Sequence, residues 1–208
     1  MKLYGHPGST CTRKILTILA ERNAPFELVQ VELGKGEHKQ AEHLARQPFG
    51  QIPAIEDDGF WLYESRAIIR YLDEKLDGTR LTPSTLKDRA LMEQWISVET
   101  SNFTPHAMGI IYEKFFAPMR GAQPDLARVD RALPPLTHAL EVMDKQLGKT
   151  EYIAGQTFTL ADVSFMPYVE YLFPSGHGEL ITGPANVSRW WNQVSNRRSW
   201  QITTGKGK

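Results

Sequence analysis

Residues 46–72 read RQPFGQIPAIEDDGFWLYESRAIIRYL, and the fold of the chain is decided within them. Pro53 stands where a strand begins, a position at which a missing N–H costs no ladder bond. AIEDDGFWLY reads as two short strands around a tight turn, because Asp58-Gly59 supplies the residues such a turn requires. Glu64-Ser65 closes the second strand. Ser65 is then an N-cap for a helix whose apolar positions include Ile68, Tyr71 and Leu72. A helix start of this kind offers backbone N–H groups and the positive end of a dipole, a seat for a carboxylate. Glu64 beside it offers a seat for an ammonium. The pair suits the head of an α-amino acid; the plainer alternative is a simple cap next to a surface charge.

Upstream, Lys2 to Gly5 reads as a short strand stopped by His6-Pro7-Gly8. Ser9 or Thr10 can cap a helix whose Ile15, Leu16, Ile18 and Leu19 form one apolar face. Asn23-Ala24-Pro25 breaks it, and FELVQVEL returns as a strand with Phe26, Leu28 and Val31 among its apolar positions. GKGEHKQ is a polar loop, followed by a short helical piece around Ala41 to Ala45. The order β-α-β-α-β-β-α over residues 1–76 matches a thioredoxin-like α/β domain, with a β-α-β half and a β-β-α half sharing one sheet. Residues 77–84, DGTRLTPS, read as a linker.

From 85 to 208 no strand pattern appears, and an all-helical domain is expected. Leu86 to roughly Phe116 is a long helical pattern with a bend or break at Pro105. Gln123-Pro124-Asp125 opens another, through Leu133, Leu136, Leu140, Met143 and Leu147, with Gly148 as a stop. Thr159 is an N-cap with Asp162 at N3 reaching back, and Phe158 and Val163 are placed to form the hydrophobic staple; this motif reads as structural. Trp190, Trp191 and Trp200 mark one last helix that packs back.

Composition narrows the class. Lys+Arg and Asp+Glu are both 24, so no global field favours nucleic acid or an anionic membrane. No run approaches the ~18 apolar residues of a spanning helix, and MKLYGHPG lacks a signal peptide's apolar core. The single cysteine, Cys11, excludes an internal disulfide and fits a reducing compartment, so a cytoplasmic address is expected. No HExxH, CxxC, P-loop or GxGxxG occurs, and His38 and His43 match no metal motif; no metal site is expected.

PFGQIPAIEDDGFWLYESRAIIRYL resembles the glutathione-site region of a glutathione S-transferase. MKLYGHPGSTCTRKIL, VELGKGEHK and FTLADVSFMPYVEYL resemble the phi class most, and the resemblance runs from Lys2 to about Trp200. It implies a transferase joining glutathione to a small apolar electrophile, with glutathione as co-substrate and no cofactor. A glutathione-dependent peroxidase, a thiol transferase, or a non-enzymatic binding module on the same fold are the alternatives. The resemblance makes Ser9 the residue that activates the thiol. It brings His38 and Lys39 to the glycine carboxylate, Gln51, Ile52 and a cis-Pro53 to the peptide backbone, and Glu64 and Ser65 to the γ-glutamyl head. Arg66 is expected to be structural.

The chemistry needs such a site. A thiol of pKa near 8.5 is mostly protonated at neutral pH, and the thiolate is the nucleophile. Lowering that pKa by about two units favours the anion by about 2.7 kcal/mol, which a hydroxyl donor at a helix N-terminus helps to supply. Thr10 also carries a hydroxyl. Cys11, two residues beyond Ser9, is displaced into the first helical turn and expected to point elsewhere. For the apolar second substrate the candidates are Phe103, His106, Ile110, Ile111 and Phe115, some of which helical spacing alone would place in the core. A homodimer is expected, with Phe49, a large ring in a polar loop, anchored in a partner's pocket; the plainer alternative is a ring folded back on its own domain.

Overall fold

The computed structural model describes residues 1–207, which divide into two compact units. The first holds Met1–Arg80 together with the chain from Arg197 onward; the second is Leu81–Asn196. The boundary expected for an 85–208 domain is therefore corrected at its far end, because the C-terminal segment returns to the first unit.

In the first unit, β1 (Lys2–Gly5) pairs parallel with β2 (Glu27–Gln30) and antiparallel with β3 (Ala54–Asp57), which pairs antiparallel with β4 (Phe60–Tyr63). The order β2-β1-β3-β4 is the thioredoxin-like sheet that the sequence predicts. Leu3 and Ile55 are fully buried partners in register. Asp58 and Gly59 both take positive φ, 52° and 86°, so the hairpin turns as its Asp-Gly dipeptide requires. Helices α1 (Thr10–Glu21) and α3 (Ser65–Lys75) pack on each other and bury Ile15, Ile18 and Leu19, and Ile68, Ile69 and Leu72. Their far ends are joined by a buried ion pair between Arg22 and Asp73. Asp57 pairs with Lys75 and accepts from the Tyr71 hydroxyl at 2.6 Å, tying β3 to α3. Those two hydrogen bonds, Lys75 first, hold the Asp57 carboxyl below its usual range.

Glu64, not Ser65, occupies the N-cap position of α3. It takes φ 70°, ψ 107°, and its side chain makes no capping bond. Since the sharp turn out of β4 is completed at Glu64, Ser65 is already helical and is buried rather than flanking the helix. The expected Ser65 cap is corrected accordingly.

The second unit is all helical. The long pattern from Leu86 is α4 (Leu86–Val98) and α5 (Thr104–Ile111), interrupted by a wide π turn at Glu99–Phe103 and followed by another at Tyr112–Phe116. Pro105 falls in the first turn of α5, directly after the π turn, so the break expected at Pro105 is a local widening of a continuing helix. After the short α6 (Ala117–Met119), α7 (Leu126–Leu147) starts at an Asp125 cap and stops at Gly148, and α8 (Leu160–Leu172) is buried along nearly its whole length. The capping box at Thr159 and Asp162 is present, with Phe158 and Val163 both buried beside it. The single last helix expected around the tryptophans is three pieces: α9 (Glu179–Thr182), α10 (Ala185–Ser195) carrying Trp190 and Trp191, and α11 (Arg198–Thr203) carrying Trp200. No helix among the described residues is long and apolar enough to cross a membrane.

Candidate functional site

The strand register gathers the candidate residues at one end of the sheet. Tyr4 lies opposite Ala54, so the exit of β1 toward Ser9 is beside Pro53 at the entrance of β3. Ala54 in turn lies opposite Tyr63, which brings Glu64 and Ser65 to the same end. Because β2 runs parallel to β1, with Gly5 opposite Gln30, the loop carrying His38 and Lys39 departs from that end as well. The N-termini of α1 and α3 both open there. Their partial positive charges favour bound anions.

Ser9 is the N-cap of α1, and its Oγ accepts from the Thr12 N–H at 3.3 Å. The hydroxyl proton has no acceptor among the described residues, so it is available to a bound anion. Thr10 is the first helical residue and nearly buried, which settles the choice of cap in favour of Ser9. Cys11 is half-buried in the first turn. The loop is tight because Gly5 leaves room for Thr12: a Cβ there would lie 2.7 Å from the Thr12 Oγ1.

The Ile52–Pro53 peptide is cis, Pro53 is buried and Gln51 is exposed. Gly50, at φ 61°, sits against the His38–Lys39 turn; a Cβ there would meet Lys39 and the His38 carbonyl at 2.8–2.9 Å. Lys39 is exposed and donates to the Phe49 carbonyl at 3.1 Å, while His38 is half-buried. Glu64 is exposed at the start of α3, and the Ser65 hydroxyl makes no hydrogen bond to another described residue. Arg66 is half-buried. The arrangement offers a hydroxyl donor, a helix N-terminus, an exposed carboxylate and an exposed ammonium around an open peptide edge. That is the complement of a small extended peptide carrying its own carboxylates, ammonium and an ionisable group.

The apolar candidates divide. Phe103, Ile110 and Ile111 are core residues of the second unit, with the Phe103 ring against Phe165 and Tyr168 at 4.9 and 6.5 Å. They have no surface to offer a substrate, and the expectation is corrected for these three. Helical periodicity marks a buried face without saying what buries it. His106 and Phe115 keep partial exposure, and Phe115 packs with Phe116 and Tyr171. Sequence reasoning missed His43 and Gln47, two buried polar side chains bonded to the backbone of Gln51. Their four-residue spacing before the Gly-Gln-Ile-Pro run was the available signal.

The family model for the glutathione S-transferase N-terminal domain matches residues 1–74, and that for the C-terminal domain matches 105–198. Glutathione S-transferase F13 of Arabidopsis thaliana is 40% identical over 200 residues, covering 95% of this chain and 91% of its own length. The crystal structure of glutathione transferase F7 from Populus trichocarpa superposes with a TM-score of 0.93 at 38% identity, covering 100% of this chain and 99% of that one. Maize glutathione S-transferase I, solved with an atrazine–glutathione conjugate, gives 0.90 at 33% identity over 99% of this chain and 96% of that one. On the two domain matches and these full-length relatives, the chain belongs to the glutathione S-transferase family.

Proposed function

We propose that the protein is a glutathione transferase that attacks a small apolar electrophile with the thiolate of glutathione, Ser9 donating a hydrogen bond to the sulfur. The observation that carries this reading is the Ser9 hydroxyl. Its oxygen is pinned by the Thr12 N–H and its proton is unengaged, at the N-terminus of α1 and at the same sheet end as Pro53 and Glu64. A donor held this way stabilises charge without reorganising when the charge forms. Ser65 and the start of α3 receive the γ-glutamyl carboxylate, Glu64 its ammonium, and His38 and Lys39 the glycine carboxylate. Ile52 presents its backbone to the cysteinyl residue as an added strand would. His106 and Phe115 are the remaining candidates for the apolar substrate. The maize relative's bound atrazine conjugate supports a glutathione adduct of an aryl electrophile as the product class.

Ser9→Ala tests the assignment. Conjugation of an aryl halide is expected to fall by a large factor, while glutathione affinity stays within about tenfold, because the hydroxyl acts mainly on the anion. The pH–rate profile, with ultraviolet titration of bound thiolate, is expected to move to higher pH. An unchanged profile in Ser9→Ala, with loss in Thr10→Ala or Cys11→Ala instead, would overturn it.

A further inference from the structure

Gln51 is exposed, yet both of its backbone polar groups are held from behind by buried side chains. His43 Nε2 lies 2.6 Å from the Gln51 carbonyl oxygen, and Gln47 Oε1 accepts from the Gln51 N–H at 2.9 Å. His43 is 3% exposed and Gln47 1%. A carbonyl only accepts, so the imidazole donates from Nε2. Its Nδ1 is buried without a partner among the described residues, which fits the neutral Nε2–H ring. His43 belongs to the short helix α2 (Ala41–Leu44), and the Gln47 N–H returns to the His43 carbonyl at 2.9 Å, so both side chains come from one helical turn. Polar groups are costly to bury unless they are bonded. Here both bonds go to the same residue.

The consequence falls on Ile52. The Gln51–Ile52 peptide is trans, since the cis bond is the next one. In a trans peptide the C=O and N–H lie in one plane and point opposite ways. Drawing the Gln51 carbonyl toward His43 therefore turns the Ile52 N–H away from α2. That N–H has no hydrogen-bond acceptor among the described residues.

We infer that His43 and Gln47 are positioning residues for glutathione, a clamp on Gln51 that aims the Ile52 N–H at the peptide's backbone. The inference rests on the glutathione reading above. The clamp acts through the tripeptide backbone and not through the sulfur, so its loss weakens ground-state and transition-state binding alike. Such a loss raises KM and leaves kcat in place.

Steady-state kinetics with glutathione varied against a saturating aryl halide test this. His43→Phe keeps a flat ring without the donor, and His43→Gln restores an N–H. His43→Phe is expected to raise the KM for glutathione about tenfold, the effect of one misplaced hydrogen bond, with kcat within about twofold. His43→Gln is expected to return KM to within about threefold of wild type. Gln47→Met, acting on the other side of Gln51, is expected to show the same KM-only effect and carries the test should His43→Phe fail to fold. Unchanged KM in both variants, with an active wild type, overturns the clamp and leaves the glutathione reading standing. A loss of kcat that follows melting temperature and is not restored by His43→Gln overturns it as well. A wild type that neither binds nor turns over glutathione overturns the functional reading and the clamp together.

Discussion

Asp162 is fully buried, and its two oxygens accept from the N–H of Ile153 and of Thr159, the Thr159 hydroxyl and the Trp190 indole. Burial pushes its carboxyl up, and the four donors pull against that rise. The Thr159 half of this network was readable as a capping box, because it joins residues three apart. The Ile153 and Trp190 donors were not, since nothing local links position 162 to position 190. Asp162→Ala is expected to strand three buried N–H donors at about 1–3 kcal/mol each. The variant should lose roughly 3–5 kcal/mol of stability, a large effect for one substitution. Denaturant unfolding measures it. A loss below about 1 kcal/mol would show that water replaces the carboxylate.

At the scale of elements, α1 and α11 form one assembly within the first unit. Arg197 clasps Glu21 through Nε and Nη2 at 2.9 and 3.0 Å, Ser199 also donates to Glu21, and Thr17 and Thr203 are in contact at 3.4 Å. Burial tends to raise the Glu21 carboxyl. The hydrogen bonds from Arg197 and Ser199 and the charges of Arg197 and Arg22 outweigh it, so the carboxyl is held low. A carboxyl held low when folded contributes stability above its unfolded pKa near 4.5, and that contribution is lost as pH falls through the folded value. Acid is therefore expected to release α11 before the rest of the unit unfolds. Hydrogen exchange of residues 198–204 should report it, and Arg197→Ala should produce the same loosening at neutral pH. Equal exchange in wild type and Arg197→Ala would remove Glu21 as the cause. The aromatic-rich tail was legible as a helix that packs back. Its docking partner was not, because Glu21 and Arg197 are 176 positions apart.

For the whole molecule, Phe49 is the residue that points to assembly. Phe49 is 65% exposed and its ring touches Tyr63 edge-on, with 6.2 Å between centroids, so it has not folded back into the core of its own unit. A ring left out in this way on a laced, glycine-bounded loop suits an anchor in a partner's pocket. In the homodimer we propose, two-fold symmetry makes the contact twice. Burying one Phe contributes about 1.5–3 kcal/mol, so Phe49→Ala is expected to raise the dimer dissociation constant by about two to four orders of magnitude. Sedimentation over a dilution series measures it, and identical dissociation of the two proteins would show that the ring is not the anchor.

The sequence by itself determined the elements whose signals are local. These are the hairpin at Asp58-Gly59, the capped start of α1, the Asp125 and Thr159 helix starts, and the β-α-β and β-β-α order of the sheet. Each rests on residues within a few positions of one another, where backbone preference and short-range hydrogen bonds decide. Tertiary structure alone decided what depends on neighbours distant in the chain. It showed that Phe103, Ile110 and Ile111 are core and not substrate surface, that the last helix belongs with α1, and that the turn into α3 is made by a positive φ at Glu64. It also showed that His43 and Gln47 grip Gln51. Apolar periodicity records only that a face is buried, and a polar side chain's partner is set by packing. Neither is written in the spacing of the residues themselves.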